Sequence, residues 1–177
     1  KQIELVTNWM RVGFIHGVMN TDNMAVSGET IDYGPCAFMN AYNPETVFSS
    51  IDHHGRYAYG NQPLIVHWNL LRLAETLLPL VHNKQDKAVG LVGELINSFG
   101  VVYKKSWLKM MRKKLGLLNE DTGDELLINT LLSWMKRNNA DYTNTFCSLL
   151  EKDVLKNRLF QDSAFVNWHQ QWCARLT

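Results

Sequence analysis

Apolar residues recur at helical spacing along most of the chain, with one irregular polar stretch near the beginning. At the start, Ile3, Val6 and Met10 are three or four residues apart, as on one face of a helix. This spacing predicts a helix over residues 1–15. The predicted helix begins at the first residue, with no loop before it, and we therefore expect the chain to be a fragment of a larger protein.

The same periodicity returns at Pro63, and proline suits the first turn of a helix. It predicts a helix that ends at about Val81. Asp86, Asp124 and Asp162 stand near the starts of later apolar periods, where acidic side chains stabilise a helix. These periods predict further helices at about residues 84–100, 101–115, 124–138, 142–152 and 162–176.

The irregular stretch lies between the first and the second predicted helix. Residues 24–26 and 30–32 are β-prone runs on either side of Ser27-Gly28-Glu29, and this pattern predicts a small hairpin. Residues 36–62 are rich in Asn, Ser, Gly and His, and we expect them to form an extended, ordered loop. The predicted fold is therefore mainly α, with one small β-hairpin near the N-terminus, in a single domain.

The composition narrows the range of partners. Charged residues make up 20% of the chain and the net charge is +1, so no global electrostatic attraction draws it to nucleic acid or to an anionic membrane. No apolar run approaches the ~20 residues that a membrane-spanning helix needs. The three cysteines are far apart and form no CxxC pair, which argues against a zinc site. We expect neither nucleic acid nor a membrane as a partner.

Residues with the chemistry of a catalytic site lie in the irregular stretch. Asp22 and Asn23 are adjacent on a polar loop, and the predicted hairpin brings Asp32 back towards Asn23. An amide oxygen and a carboxylate are ligands that Mg²⁺ accepts together with substrate phosphates. Asp22 is then a candidate base that takes a proton from an attacking hydroxyl. The alternative is purely local, because Asn and Asp also favour loops by forming turns and caps.

The order of these residues resembles the catalytic loop of small-molecule kinases. That loop reads His-Gly-Asp-x-x-x-x-Asn, and a metal-binding Asp follows it at the end of a strand. Here His16, Gly17 and Asn23 are in register with the loop, and Asp32 begins an Asp-Tyr-Gly element. Val18 stands where the usual catalytic Asp would be, so a conventional kinase assignment does not fit.

Several longer motifs make the resemblance more specific, and the chain is similar to the selenoprotein O family. The motifs cover about residues 10–75. They are Gly13-Phe14-x-His16-Gly17-Val18-Met19-Asn20-Thr21-Asp22-Asn23-Met24, Thr30-Ile31-Asp32-Tyr33-Gly34-Pro35, Asp52-His53-x-Gly55-Arg56-Tyr57, Gln62-Pro63 and Trp68-Asn69-Leu70-x-Arg72-Leu73-Ala74.

This resemblance implies a pseudokinase fold, of which the chain would be the helical C-lobe. It implies an enzyme that transfers AMP from ATP to Ser, Thr or Tyr hydroxyls of proteins, with Mg²⁺ or Mn²⁺ as cofactor. Asp22 would be the catalytic proton acceptor, Asn23 and Asp32 would bind the metal, and Asp32 would also contact the nucleotide. The family's nucleotide-binding N-lobe and C-terminal redox motif fall outside the chain, so we expect the fragment alone to be inactive.

Two other functions stay open on the sequence. One is an atypical protein kinase that uses the same three residues for phosphate transfer. The other is a non-catalytic pseudokinase that binds nucleotide and acts as a scaffold. The resemblance also implies a cytoplasmic location for a bacterial protein and a mitochondrial one for eukaryotic relatives.

The histidines are expected to have supporting roles. We expect His16 to brace the loop that carries Asp22 and Asn23 by hydrogen bonding through its ring nitrogens. His53 and His54 are adjacent, so on an extended segment they point to opposite sides and do not share a metal. We expect residues 52–57 to support the loop that carries the site.

Overall fold

Seven α-helices and one two-stranded sheet form the part of the chain that the computed structural model describes, residues 1–176. The helices are α1 (Gln2–Val12), α2 (Gln62–Val81), α3 (Gln85–Asn97), α4 (Phe99–Lys114), α5 (Asp124–Arg137), α6 (Tyr142–Ser148) and α7 (Ser163–Leu176). The strands β1 (Phe14–Ile15) and β2 (Ala37–Phe38) pair with each other. Short 3-10 turns lie at Thr21–Asn23, Tyr59–Asn61, Val154–Lys156 and Arg158–Gln161.

The mainly helical class is confirmed, and the helices from α2 onward lie within a few residues of their predicted ranges. The prediction for residues 1–15 was wrong at its end. α1 stops at Val12 because Gly13 adopts a φ of +71°, a left-handed conformation that glycine tolerates. The next two residues, Phe14 and Ile15, then form β1 instead of a last helical turn.

The predicted hairpin is reduced to a single bridge. Met24 and Thr30 form an isolated antiparallel bridge, and Gly28 turns the chain between them with a φ of +83°. The main strand pairing, β1 with β2, was not predicted, because strands of two residues carry no periodic signal. This pairing joins the two ends of the segment that contains the candidate catalytic residues.

The chain folds into two compact units, and the first contains the predicted site. It comprises residues 1–10, 14–37 and 44–107. Its hydrophobic core combines side chains from α1, β1, the loop after β1, the segment before α2, α2 itself and the start of α4. The core residues are Val6, Trp9, Phe14, Met19, Tyr57, Ile65, Val66 and Phe99.

The second unit comprises residues 11–13, 38–43 and 108–176 and has an aromatic core. Its largest buried side chains include Trp134, Tyr142, Phe165 and Trp168. Asp124 is also fully buried in this unit. Its carboxylate accepts hydrogen bonds from Arg112 at 2.6 Å and from Arg175 at 2.8 Å. These ion pairs tie α4, α5 and α7 together.

The segment that contains α2 is longer and more apolar than the sequence pattern predicted. The segment Tyr59–Val81 is long and apolar enough to cross a membrane by length and composition alone, although no such run was expected. Two of its polar side chains, Gln62 and Asn69, are buried and hydrogen-bonded within the first unit, as described below. The expectation of no membrane partner stays a prediction.

Candidate functional site

The loop after β1, residues 16–24, is called the site loop below, and it is fastened by a fully buried histidine. The Nε2 atom of His16 lies 2.8 Å from the carbonyl oxygen of Ile31, and its Nδ1 atom lies 3.4 Å from the backbone nitrogen of Val18. A carbonyl only accepts and a backbone N–H only donates, so Nε2 is the donor in the contact with Ile31 and Nδ1 is the acceptor in the contact with Val18. The predicted bracing role of His16 is confirmed, and it reaches the residue before Asp32.

A glycine allows the site loop to pass close to a second segment. Gly17 has a φ of +91°, and a Cβ atom at this position would lie 2.7 Å from the carbonyl oxygen of Pro35. Only a residue without a side chain fits both the backbone conformation and this approach. Gly17 therefore fixes the distance between the start of the loop and the chain just after the Asp-Tyr-Gly element.

The first residue of α2 anchors the start of the site loop. The buried side chain of Gln62 accepts from the backbone N–H of His16 at 3.0 Å and donates to the carbonyl of Phe14 at 2.9 Å. One amide thus satisfies two backbone groups in the core, where unpaired groups are costly. The position of the loop relative to α2 is set by this pair of hydrogen bonds.

Two further side chains hold the middle of the site loop. The Nδ2 atom of Asn69 donates to the carbonyl of Met19 at 3.0 Å, and the Tyr57 hydroxyl donates to Oδ1 of Asn20 at 2.5 Å. Tyr57 is itself placed by Asp52, whose carboxylate accepts from the Tyr57 backbone N–H at 2.8 Å. The expected supporting role of residues 52–57 is therefore confirmed.

Asp22 and Asn23 lie in the 3-10 turn Thr21–Asn23 that this framework supports. Asp22 is exposed, and its carboxylate has no hydrogen-bond or ion-pair partner among residues 1–176. Asn23 is half-buried, and its Nδ2 atom donates to the carbonyl of Val18 at 3.0 Å. Because the amide nitrogen is used in this way, the Oδ1 atom of Asn23 is left as the group that can coordinate a cation.

Asp32 is exposed and has an unusual backbone conformation. Its φ is +54°, in the left-handed region that side-chain-bearing residues rarely adopt, although Asp tolerates it better than most. Such conformations cost free energy and occur more often at functional positions. Among the described residues its carboxylate has no ion-pair partner.

The chain segments next to Asn23 and Asp32 lie close together in the structure. The Met24–Thr30 bridge lies one residue from Asn23 and two residues from Asp32. Trp9 of α1 supports the same bridge, because its indole N–H donates to Oγ1 of Thr30 at 2.9 Å. The roles of Asp22, Asn23 and Asp32 themselves stay predictions.

The donor set fits a hard divalent cation that is also held by a substrate. Within residues 1–176 there is no group of three His, Cys, Asp or Glu side chains arranged to hold a metal by themselves. Asn23 offers an amide oxygen and Asp32 a carboxylate, which matches the way Mg²⁺ is bound by one or two protein oxygens plus phosphates. His16 takes no part, since both of its ring nitrogens are already engaged by backbone groups.

Sequence reasoning missed the roles of Gln62 and Asn69, although a signal was present. The two residues are seven apart, so they lie on the same face of α2 as buried Ile65 and Val66. Polar amides on the apolar face of a helix must find buried partners, and here those partners are backbone groups of β1 and the site loop. A search for polar residues on predicted core faces would have found both.

The comparison with known families covers the site loop and the rest of the described chain, and it indicates a nucleotidyltransferase family. A family model described as protein adenylyltransferase SelO matches residues 1–176, and the chain belongs to this family. The resemblance expected from the motifs is thus confirmed over the whole described chain.

Individual relatives agree with the family assignment. The chain is 57% identical over 175 residues to a protein nucleotidyltransferase YdiU of Nitrosococcus oceani and 58% identical over 177 residues to that of Brevibacillus brevis. The protein of the same name from Pelagibacter ubique is 56% identical over 176 residues. Each match covers 99% or 100% of the chain but spans only 36% of the relative's length.

Proposed function

We propose that the longer protein containing this chain transfers AMP from ATP to Ser, Thr or Tyr hydroxyls of proteins in an Mg²⁺- or Mn²⁺-dependent reaction. The observation that carries this proposal is the membership of residues 1–176 in the protein adenylyltransferase SelO family. The loop geometry supports it, because the three candidate residues sit on a segment fastened by buried hydrogen bonds. Preorganised polar groups of this kind are what nucleotidyl transfer requires.

The three candidate residues have distinct roles in the proposed reaction. Asp22 accepts the proton of the attacking hydroxyl, whose oxygen bonds to the α-phosphorus of ATP. The bond from the α-phosphorus to its bridging oxygen breaks, and pyrophosphate leaves. Asn23 and Asp32 would hold the metal, and Asp32 would also contact the nucleotide. A bound Mg²⁺ neutralises the negative charge that develops on the phosphate oxygens.

The exposure of the two carboxylates supports this division of roles. Asp22 is free of protein partners among the described residues, so a substrate hydroxyl can approach it directly. The backbone N–H of Asn23 donates to the carbonyl of Asn20 at 3.0 Å, which keeps the turn closed beside the exposed Asp22. We also infer that this helical chain is the C-lobe of a kinase-like fold, because His16, Gly17 and Asn23 follow the kinase loop pattern.

ATP labelled on either the α- or the γ-phosphate distinguishes the proposed function from its alternatives. The full-length protein is incubated with a protein substrate pool, Mg²⁺ and each labelled ATP. We expect the label to reach protein from the α-position and not from the γ-position. Transfer from γ alone would establish an atypical kinase instead, and transfer from neither position would favour a scaffold.

Substitutions in the full-length protein test the individual roles. Asp32→Ala should abolish Mg²⁺-dependent nucleotide binding, measured by calorimetry with and without metal. Asp22→Asn should keep that binding and lower the rate of transfer by about 10²–10⁴-fold, the range expected for loss of a general base. Asp153→Ala, at an exposed carboxylate in the second unit, is the matched control and should change neither quantity. Unchanged nucleotide binding in Asp32→Ala would contradict the metal assignment.

A further inference from the structure

A cavity opens beside the site loop, next to residues 51–57. It has a volume of about 650 Å³, within the range of roughly 300–1,000 Å³ that is usual for ligand pockets. Val18 and Asn20 of the site loop form one wall, and residues 51–54, 56 and 57 form the other. The three candidate residues of the proposed reaction are not part of its lining, so the cavity is a separate space beside them.

The cavity adjoins the turn that carries Asp22. Asn20 comes two residues before Asp22, so their Cα atoms are at most about 7 Å apart. The carbonyl of Asn20 accepts from the backbone N–H of Asn23 at 3.0 Å, and the carbonyl of Val18 accepts from its Nδ2 atom at 3.0 Å. The near wall of the cavity is therefore bonded directly to the turn.

The side chain of Asn23 separates the cavity from the proposed metal position. Its Nδ2 atom points to the carbonyl of Val18, which lines the cavity. The oxygen and the nitrogen of an amide lie on opposite sides of one carbon, so Oδ1, the candidate metal ligand, faces away from that carbonyl. The metal and the phosphates of ATP would then lie beyond Asn23, and the cavity is left for the other substrate, the acceptor.

Arg56 supplies the positive charge of the cavity. Its guanidinium carbon lies 4.8 Å from the centre of the Trp68 ring and 5.7 Å from that of the Tyr57 ring. The side chain is exposed, and its guanidinium has no carboxylate partner among the described residues. A guanidinium stacked on an aromatic ring keeps its N–H edge available, and this edge can hold a carboxylate through two parallel hydrogen bonds.

The other polar groups of the cavity also favour an anion. The two carboxylate oxygens of Asp52 are already engaged, because they accept from the backbone N–H groups of Arg56 at 2.9 Å and Tyr57 at 2.8 Å. His53 and His54 are exposed, and their rings form no hydrogen bond within the described chain. Each ring has at least one N–H donor. The cavity thus offers N–H donors and one permanent positive charge.

We propose that this cavity binds an acidic side chain, Asp or Glu, of the acceptor protein, two to four residues from the hydroxyl that receives AMP. The proposal rests on the proposed function, because it names the class of acceptor that the same site selects. The near wall lies within about 7 Å of Asp22, a distance that two extended residues span, and the far wall adds one or two more. Arg56 pairs with the carboxylate, and the exposed side chain of Ile51 gives an apolar surface to the neighbouring part of the acceptor.

Peptide binding to the full-length protein tests this proposal without catalysis. The probes are rhodamine-labelled peptides with a central Ser, Thr or Tyr and one Glu at each of the four positions on either side, and matched peptides carry Gln instead. Dissociation constants are measured by fluorescence anisotropy. We expect the best Glu peptides to bind about tenfold more tightly than their Gln counterparts, the gain typical of a charge-assisted hydrogen bond.

Arg56→Gln should remove this preference, because it removes the charge and the planar fork of donors. Arg158→Gln makes the same change at an exposed arginine of the second unit and is the matched control, which should keep the preference. In transfer assays with α-labelled ATP, the effect of Arg56→Gln on Glu peptides should appear mainly as a KM raised about tenfold rather than in kcat, since the lost contact serves binding. Circular dichroism checks the folding of both variants.

Equal binding of Glu and Gln peptides to the wild type would overturn the proposal, and so would a Glu preference that survives Arg56→Gln in a folded protein. Weaker binding of Mg²⁺–ATP by Arg56→Gln, with peptide binding unchanged, would assign the cavity to the nucleotide and overturn the proposal as well. Absence of label transfer to every peptide would instead overturn the proposed function. The anisotropy measurements would still decide whether the cavity selects an acidic side chain.

Discussion

His16 decides the geometry of the site loop more than any residue with proposed chemistry. It is fully buried, and its ring spans Val18 at the start of the loop and Ile31 at the return of the chain. Its backbone N–H is held by Gln62 as well. His16 resembles a catalytic histidine in sequence, but in the structure its ring connects two short segments by hydrogen bonds.

Replacing His16 by Ala should destabilise the protein by about 3 kcal/mol, because it removes both ring hydrogen bonds and leaves a cavity in place of a fully buried side chain. The free energy of unfolding is measured by urea titration followed by circular dichroism. His53→Ala removes an exposed imidazole from the same unit and should change that energy by less than about 0.5 kcal/mol. Equal stability of the two variants would show that the His16 contacts contribute nothing.

Gly17 gives a second residue-scale prediction. Gly17→Ala should cost more than about 2 kcal/mol, since the new methyl group would meet the Pro35 carbonyl at 2.7 Å in a left-handed backbone conformation. Gly90→Ala is the matched control, because a methyl group added at this position inside α3 would have no atom within 4 Å. That change should instead stabilise the protein by up to about 1 kcal/mol. Thermal melts of both variants give the comparison.

At the scale of elements, helices were predictable and short strands were not. The periods after Pro63 run over ten or more residues for most helices and overcome local exceptions such as Pro79 inside α2. The end of α1 depended on one left-handed glycine, Gly13, which periodicity ignores because Phe14 continues the apolar spacing. Strand pairing between β1 and β2 is a contact distant in sequence, which no local pattern encodes.

The buried carboxylate of Asp124 connects three helices through ion pairs. Its protonation should make the free energy of unfolding depend on pH in the acid range. Burial acts to raise the pKa of this carboxyl, but hydrogen bonds from Arg175, the Asp121 backbone and Arg112 outweigh it and hold the pKa below its ordinary value. A carboxyl with a lowered folded-state pKa adds stability above its unfolded value, near pH 4, and loses it as the pH falls further. The ion pairs are therefore expected to weaken only in strong acid.

Asp124→Ala should lower the free energy of unfolding by about 3–5 kcal/mol at pH 7, because two arginines lose a buried partner. The loss should shrink as the pH falls below about 4, because the carboxyl of the unfolded wild-type chain takes up a proton at a higher pH than the buried carboxyl of the folded chain does. Asp153→Ala breaks an exposed pair with Lys156 and should cost no more than about 1 kcal/mol. Urea titrations from pH 2 to pH 7 measure both, and a pH-independent loss would contradict the ionic mechanism.

Lys114 at the end of α4 should make the free energy of unfolding depend on pH in the alkaline range. Burial, together with the positive charge of Arg11, lowers its pKa from 10.5 to about 8, although Cys147 acts in the other direction. Its Nζ atom lies 4.0 Å from the centre of the Tyr142 ring. Because the unfolded chain keeps this proton to higher pH, folding should become more favourable between about pH 8 and 10.5.

Lys114→Met keeps the apolar stem and removes the titrating group. The wild type should gain stability relative to this variant as the pH rises from about 8 to 10.5, and the two should differ by a constant amount below about pH 7. Urea titrations at several pH values measure the difference. Lys113→Met, at the neighbouring exposed lysine, serves as the control for the loss of one positive charge.

At the scale of the whole molecule, the sequence indicated the family better than it indicated the surroundings of the site. The motifs around Asp22, Asn23 and Asp32 pointed to the family, which the family model confirms for residues 1–176. The exposure of Leu73 and Leu77 on α2 was not predicted, because both have the same spacing as core residues and nothing in the pattern separates a covered leucine from an exposed one.

The indole of Trp9 is a fluorescent group that belongs to the hydrogen-bonded framework of the site. Its ring centre lies 5.5 Å from that of His16, and its N–H is bonded to Thr30 at the return of the chain. The wavelength and yield of indole emission depend on its hydrogen bonds and neighbouring rings. When Mg²⁺ and ATP bind to the full-length protein, a change in the turn at Asn23 should shift this emission. Comparison with a Trp9→Phe variant would isolate the response, which gives a label-free way to follow nucleotide binding in real time.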